Sequence, residues 1–200
     1  MPSKDFNRSV FLNVPHDAGY ERLFVALVAS VVGLGKIPHC ALEFPDYGSG
    51  RLEKIFQLLK SCRHSVHDLS RLGGPARFNM PFELGLVCAL QRTDARYRYA
   101  VFERRAHRLD RTLSDLKGRD PFIHSGTATG MVNAVFAALG ERRNTLGLRA
   151  VREVDRKLLA VARRLKAEYG EPSVFTRTIF LELCTAATEL CSQKQHLIGP

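Results

Sequence analysis

Residues 10–44 read VFLNVPHDAGYERLFVALVASVVGLGKIPHCALEF. Val10–Val14 is a short apolar run that ends in Asn13-Val14-Pro15-His16-Asp17, and it reads as a buried strand with a loop at its carboxyl end. From Tyr20 to Gly35 apolar residues fall at 23, 24, 27, 28, 31 and 34, the spacing of one helix face, and Gly33 and Gly35 stop the run. Ile37–Phe44 reads as a second strand. Strand, helix and strand in so short a span is the unit from which parallel sheets are built.

The pattern continues outward from there. A loop over 45–50 precedes a helix over Arg51–Cys62, with apolar residues at 52, 55, 58, 59 and 62. Ser65–Leu69 is a third short strand, followed by a Gly/Pro loop over 70–78. Asn79 is a candidate helix cap and Pro81 suits the first turn of a helix running to about Leu90. Tyr97–Phe102 is a fourth strand, Arg111–Lys117 a short helix, Pro121–His124 a fifth strand and Met131–Leu139 another helix. Five strands separated by helices predict an α/β fold, a flavodoxin-like doubly wound parallel sheet in the order 2-1-3-4-5. A barrel would need about 250 residues.

The end of the chain has a different grammar. Apolar positions 151, 154, 158, 161, 165 and 169 make one helix stripe, Gly170-Glu171-Pro172-Ser173 breaks it, and 175, 179, 180, 183, 187 and 190 make a second. The expected division is an α/β domain over 1–145 and a C-terminal helical hairpin over 146–200. The hairpin would either cover the sheet or form an interface with another copy.

Composition narrows the class. The chain is 200 residues, 45% hydrophobic and 25% charged, which excludes disorder as its main state. No run approaches the roughly 20 apolar residues of a membrane helix. The polar start MPSKDFNRS shows no signal peptide, so a cytoplasmic protein without a membrane partner is expected. Five Cys with no CxxC pair read as reduced, buried thiols, and no metal site is expected. The net charge of +10 is uneven: residues 1–75 carry +2, 76–150 carry +6 and 151–200 carry +2. Seven arginines fall in 92–111, a segment suited to a nucleotide, an acidic partner or, less favoured, nucleic acid, since neither interleaved aromatics nor a nucleic-acid motif accompanies it.

In an open α/β sheet ligands bind outside the carboxyl ends of the strands, where the strand order reverses. In the order 2-1-3-4-5 that point lies between strands 1 and 3. The sequence places Asn13, Pro15, His16 and Asp17 there from strand 1, and His67, Asp68, Ser70 and Arg71 from strand 3. Arg77, Phe78, Asn79 and Glu83 follow at the start of the next helix. Each has a plainer reading: Ser70 and Asn79 as turn or cap, Asp17 as a cap, Asp68 as the partner of Arg71. Glu83 stands among apolar residues, and a carboxylate beside a buried face is costly unless paired or used. Its plainer reading is a surface Glu favoured by the helix dipole. Arg51 is either a helix-surface side chain or a phosphate contact. Ser125-Gly126-Thr127-Ala128-Thr129-Gly130 is either a plain loop or an amide cradle for phosphate.

The segments 10–17, Arg51-Leu52-Glu53-Lys54-Ile55, Cys62 to Arg71 and Arg77-Phe78-Asn79-Met80-Pro81-Phe82-Glu83-Leu84-Gly85 resemble a bacterial branch of the TIR-like and nucleoside 2-deoxyribosyltransferase-like superfamily. The likeness covers about residues 8–140 and includes Ser114 to Asp120 with His124 after it. The resemblance implies a flavodoxin-like sheet and cleavage of N-glycosidic bonds, with Glu83 as the catalytic carboxylate facing the anomeric carbon. Asp68 is its expected catalytic partner, with Asp17 and His67 behind it. The substrate-binding set would be Asn13, Pro15, Asp17, Arg51, Ser70, Arg77, Phe78 and Asn79. NAD or another nucleotide would be substrate rather than cofactor. Antiphage defence is the implied setting, with a homo-oligomer or a defence partner engaged through the C-terminal helices. Base removal or deoxyribosyl transfer from a nucleoside or nucleotide, and a non-catalytic nucleotide sensor, are the alternatives.

Overall fold

The computed structural model describes residues 4–44, 50–70, 78–109, 113, 118, 120–140 and 146–198. Its strands are β1 (Ser9–Asn13), β2 (Ile37–His39), β3 (His64–Asp68), β4 (Arg98–Glu103) and β5 (Phe122–Ile123). Its α-helices are α1 (Glu21–Gly33), α2 (Arg51–Ser61), α3 (Asn79–Thr93), α4 (Ala128–Leu139), α5 (Leu148–Tyr169) and α6 (Arg177–Ile198). Single 3-10 turns cover Ala18–Tyr20 and Ala41–Glu43. The five strands form one parallel sheet in the order β2-β1-β3-β4-β5. This is the flavodoxin-like order expected from the sequence, and it puts the reversal point between β1 and β3.

Side chains alternate across the sheet and sort into two cores. Val10, Leu12, Val66, Ala100 and Phe102 meet α1, α4, α5 and α6 on one face. Phe11, Leu69 and Val101 meet α2 and α3 on the other. Every residue from Leu23 to Val31 is buried, so α1 is covered all round, as a helix apolar on every side must be. The sheet covers one flank of α1, and the α5–α6 hairpin covers another through Val151, Val154, Leu158, Ile179, Phe180 and Leu183. The hairpin therefore shares the hydrophobic core of the α/β region. Gly33 lets α1 approach α5: a Cβ there would stand 2.5 Å from Cγ2 of Val151.

Three elements differ in detail from the sequence reading. β2 stops at His39, because Pro38 has no N–H to donate and Ala41–Glu43 turns instead. Asn79 is the first helical residue of α3, with Phe78 at the cap position and no side-chain cap. Thr127 caps α4, its Oγ1 accepting from Gly130 N at 3.0 Å, so α4 begins three residues before Met131. The expected helix over 111–117 falls almost wholly outside the described residues.

Candidate functional site

The carboxyl ends of β1 and β3 and the first turns of α2 and α3 enclose a cleft of about 70 Å³. Leu12, Asn13, Val14 and His16 line it from β1 and the turn after it; Ala41 and Arg51 close one side, and Asn79, Met80 and Glu83 the other. Glu83 is 7% exposed. Burial pushes its carboxyl up to about 7, while the Arg51 guanidinium pulls the other way. A carboxyl poised near neutrality in the strand-order crevice is the arrangement that functional carboxyls adopt.

Asn13 fixes the back of this cleft. Its Nδ2 donates to Met80 O at 2.9 Å and to Nδ1 of His67 at 3.0 Å, tying β1 to the first turn of α3. His67 Nδ1 therefore accepts, and Nε2 carries the proton toward Ser65 Oγ at 2.9 Å. Burial holds the His67 imidazole down to about 3, so it is neutral and serves as a strut between Asn13 and Ser65. His16, at the cleft mouth, stacks on Phe175 with ring centres 5.0 Å apart, which brings the α5–α6 connection to the site.

Asp68 lies elsewhere. Adjacent strand residues point to opposite faces, so His67 faces α3 and Asp68 faces α1 and α4. The Asp68 carboxylate is fully buried and accepts from the Tyr20 hydroxyl and from Ser70 N at 2.9 Å. His124 Nδ1 accepts from Gly126 N at 3.0 Å, and its Nε2 lies 3.2 Å from Asp68 Oδ2, within ion-pair distance but without hydrogen-bond alignment. Burial pushes the Asp68 carboxyl up, but His124 and the bonds from Ser70 and Tyr20 outweigh it and hold the group below its ordinary value. The same neighbourhood, burial first and then Asp68, drives the Tyr20 phenol well above its ordinary range. Tyr20, Asp68 and His124 thus clasp the turn after β1 to the ends of β3 and β5. Beside them Glu103, fully buried at the end of β4, accepts from Arg104 N at 2.7 Å and stands 3.4 Å from Arg108.

The other expected site residues divide. Asn13, Arg51, Asn79 and Glu83 come together at the cleft. Pro15 is buried but does not line the cleft, and Asp17 is half-buried, close enough to Tyr20 to raise the phenol further. Ser70 is buried with its amide on Asp68 and its carbonyl accepting from Arg108, on the far side of the sheet end. Phe78 is 79% exposed, and Arg77 lies outside the described residues. The amides of Gly126 and Gly130, offered by the sequence as a phosphate cradle, are taken by His124 and Thr127.

The sequence reading did not single out Met80, whose carbonyl anchors Asn13, nor the Tyr20–His124 pair. The signal for Met80 was its place one helical turn before Glu83. The buried thiol of Cys62 and the half-buried thiol of Cys184 are pushed up to about 12, away from nucleophilic use. Among the described residues no group of three or more His, Cys, Asp or Glu is placed to hold a metal ion, and no helix is long and apolar enough to cross a membrane. A larger hollow of about 500 Å³, lined by His64, Gln91, Arg98 and Tyr99, sits at the amino ends of β3 and β4 and has no carboxylate among its described lining residues. Compared with family models, curated proteins and solved structures, the chain matches none.

Proposed function

We propose that this chain cleaves the N-glycosidic bond of a nucleotide, with the Glu83 carboxylate facing the anomeric carbon. The observation that carries the reading is Glu83 itself, a buried carboxyl held near neutrality in the crevice between β1 and β3. As the C1–N bond breaks, both electrons leave with the base and positive charge grows on the sugar, where a carboxylate in a poorly solvated cleft stabilises it best; a water oxygen then bonds to C1 and gives its proton to the Glu83 carboxylate, which passes it to solvent. A cleft of about 70 Å³ suits the part of a sugar around C1 rather than a whole nucleotide.

The number of carboxylates points to a substrate class. Asp68 is committed on the other face of the sheet, so Glu83 is the one carboxylate among the described lining residues. A neutral purine or pyrimidine needs a proton as it leaves. A pyridinium does not, because it departs as neutral nicotinamide. One carboxylate therefore suits NAD, and the resemblance adds hydrolysis and antiphage defence to the proposal. Removal or exchange of a neutral base is the second reading. It requires a proton donor, and His16 is the lining residue placed for it. A sensor that binds without turnover is the third. A defence partner or a second copy would meet the outward faces of α5 and α6, since their inner faces are packed on α1.

The test is a mass-spectrometric time course with NAD, NADP, ATP, dATP and free nucleosides. Wild type is expected to release nicotinamide, and Glu83→Gln to lose at least about 100-fold in rate. Equal rates for the two proteins would end the assignment of Glu83. Nucleotide bound equally by both, with no product, would establish the sensor.

A further inference from the structure

Between Arg149 and Arg164 the exposed residues of α5 are Arg149, Arg152, Arg156, Lys157, Ala160, Arg163 and Arg164. All but Ala160 are cations. Arg149, Arg152, Arg156 and Arg163 recur at helical spacing and form one line about 21 Å long. Of the acids of the same helix, Glu153 pairs with Lys194 and stands 3.8 Å from Arg149, Asp155 grips Arg22 at 2.6 and 2.5 Å, and Glu168 is exposed one turn past the end of the line. A hollow of about 370 Å³ at the start of the line joins Arg22 and Thr129 to three of these arginines, with the paired carboxylates of Glu153 and Asp155 in its wall. Arg156, Lys157, Arg163 and Arg164 make no ion pair among the described residues.

This arrangement costs the isolated fold. Arg152 and Arg156 are like charges four apart, and Arg149 lies in a first turn that has no acid and where the helix dipole disfavours a cation. A polyanion lying along the helix would turn each of these costs into a gain. The segment that looked most basic in sequence makes no such surface among the described residues, because β4 lies between Arg92, Arg96 and Arg98 at its amino end and Arg104, Arg105 and Arg108 at its carboxyl end; Arg111 lies outside the described residues.

We infer that the outward face of α5 binds the phosphate backbone of a double-stranded nucleic acid. Arginine is the side chain suited to phosphate oxygens, and the line is long enough to meet about four of them. No aromatic lies between Arg149 and Arg164 on which single-stranded bases would stack. The exposed face also lacks the apolar centre that a protein interface needs. The surface stands apart from the Glu83 cleft and does not depend on the reading of that cleft.

The experiment is fluorescence anisotropy with a labelled 20-base-pair DNA duplex, using the full chain. Raising NaCl from 50 to 200 mM is expected to weaken wild-type binding on the order of 100-fold. The variant Arg156→Gln/Arg163→Gln/Arg164→Gln breaks no described bond. It should bind at least about 10-fold more weakly at 50 mM and lose less than about 10-fold over the same salt range. Lys60→Gln/Arg92→Gln/Arg98→Gln removes equal charge elsewhere and should stay within about threefold of wild type. No duplex binding at 50 mM, or equal losses in both variants, would overturn the inference. Polyglutamate held as tightly as the duplex would also overturn it, in favour of an acidic protein partner.

Discussion

Glu83 raises a question of sign at the scale of one residue. Its folded carboxyl titrates near 7 and its ordinary value is 4.5. The folded chain therefore holds a proton that the unfolded chain releases between those values, and stability falls as pH rises through that window. The difference amounts to about 3 kcal/mol against the fold once Glu83 is ionised. Glu83→Gln removes the penalty while keeping the shape. At pH 8 the variant is expected to melt several degrees above wild type, and at pH 4, below the window, the two should nearly coincide. Scanning calorimetry at both values checks this, and a gap independent of pH would place the carboxyl in solvent. In wild type, cleavage should rise with pH through about 7 as Glu83 ionises. That Glu83 would sit at a buried face was legible from a lone carboxylate among Met80, Phe82, Leu84 and Leu86.

Elements explain what the sequence did not make legible. Apolar runs of five residues separated by helical stripes announced the parallel sheet, and the 2-1-3-4-5 order is that of the flavodoxin-like sheet that five such units suit. The same period-two rule that makes a strand sends His67 and Asp68 to opposite faces, and α3 brings Glu83 to the His67 face. Polar residues at one strand end therefore did not mean one site. Asp68 joins the turn after β1 to β3 and β5, through partners 48 and 56 positions away in sequence that no local pattern links. Asp68→Ala would leave the Tyr20 hydroxyl and the Ser70 amide buried without their acceptor and would remove the carboxylate beside His124. The expected loss is about 3–5 kcal/mol in urea denaturation. A variant that keeps full stability yet loses activity would move Asp68 from the clasp to the chemistry.

At the scale of the whole molecule the decisive fact is that α1 has no face for water. A helix whose residues 23–31 are all buried needs cover on every side, and the sheet, α4 and the α5–α6 hairpin supply it. The sequence showed two amphipathic stripes in the hairpin and left their partner open; the missing signal was on α1, whose Val25, Ala26 and Ala29 fill the side that an amphipathic helix would give to solvent. Leu158, Leu165, Ile179, Phe180 and Leu183 together contribute roughly 10 kcal/mol of burial, comparable to the entire stability of an ordinary domain. Residues 1–145 expressed alone should therefore aggregate, or remain soluble without a cooperative thermal transition, although every strand and the whole Glu83 cleft would be present. Calorimetry and near-ultraviolet dichroism of that fragment decide the matter. A sharp transition with native-like aromatic signals would make the hairpin an appendage whose inner face is free for another chain. Its absence would mean that any partner of this protein meets α5 and α6 only from outside.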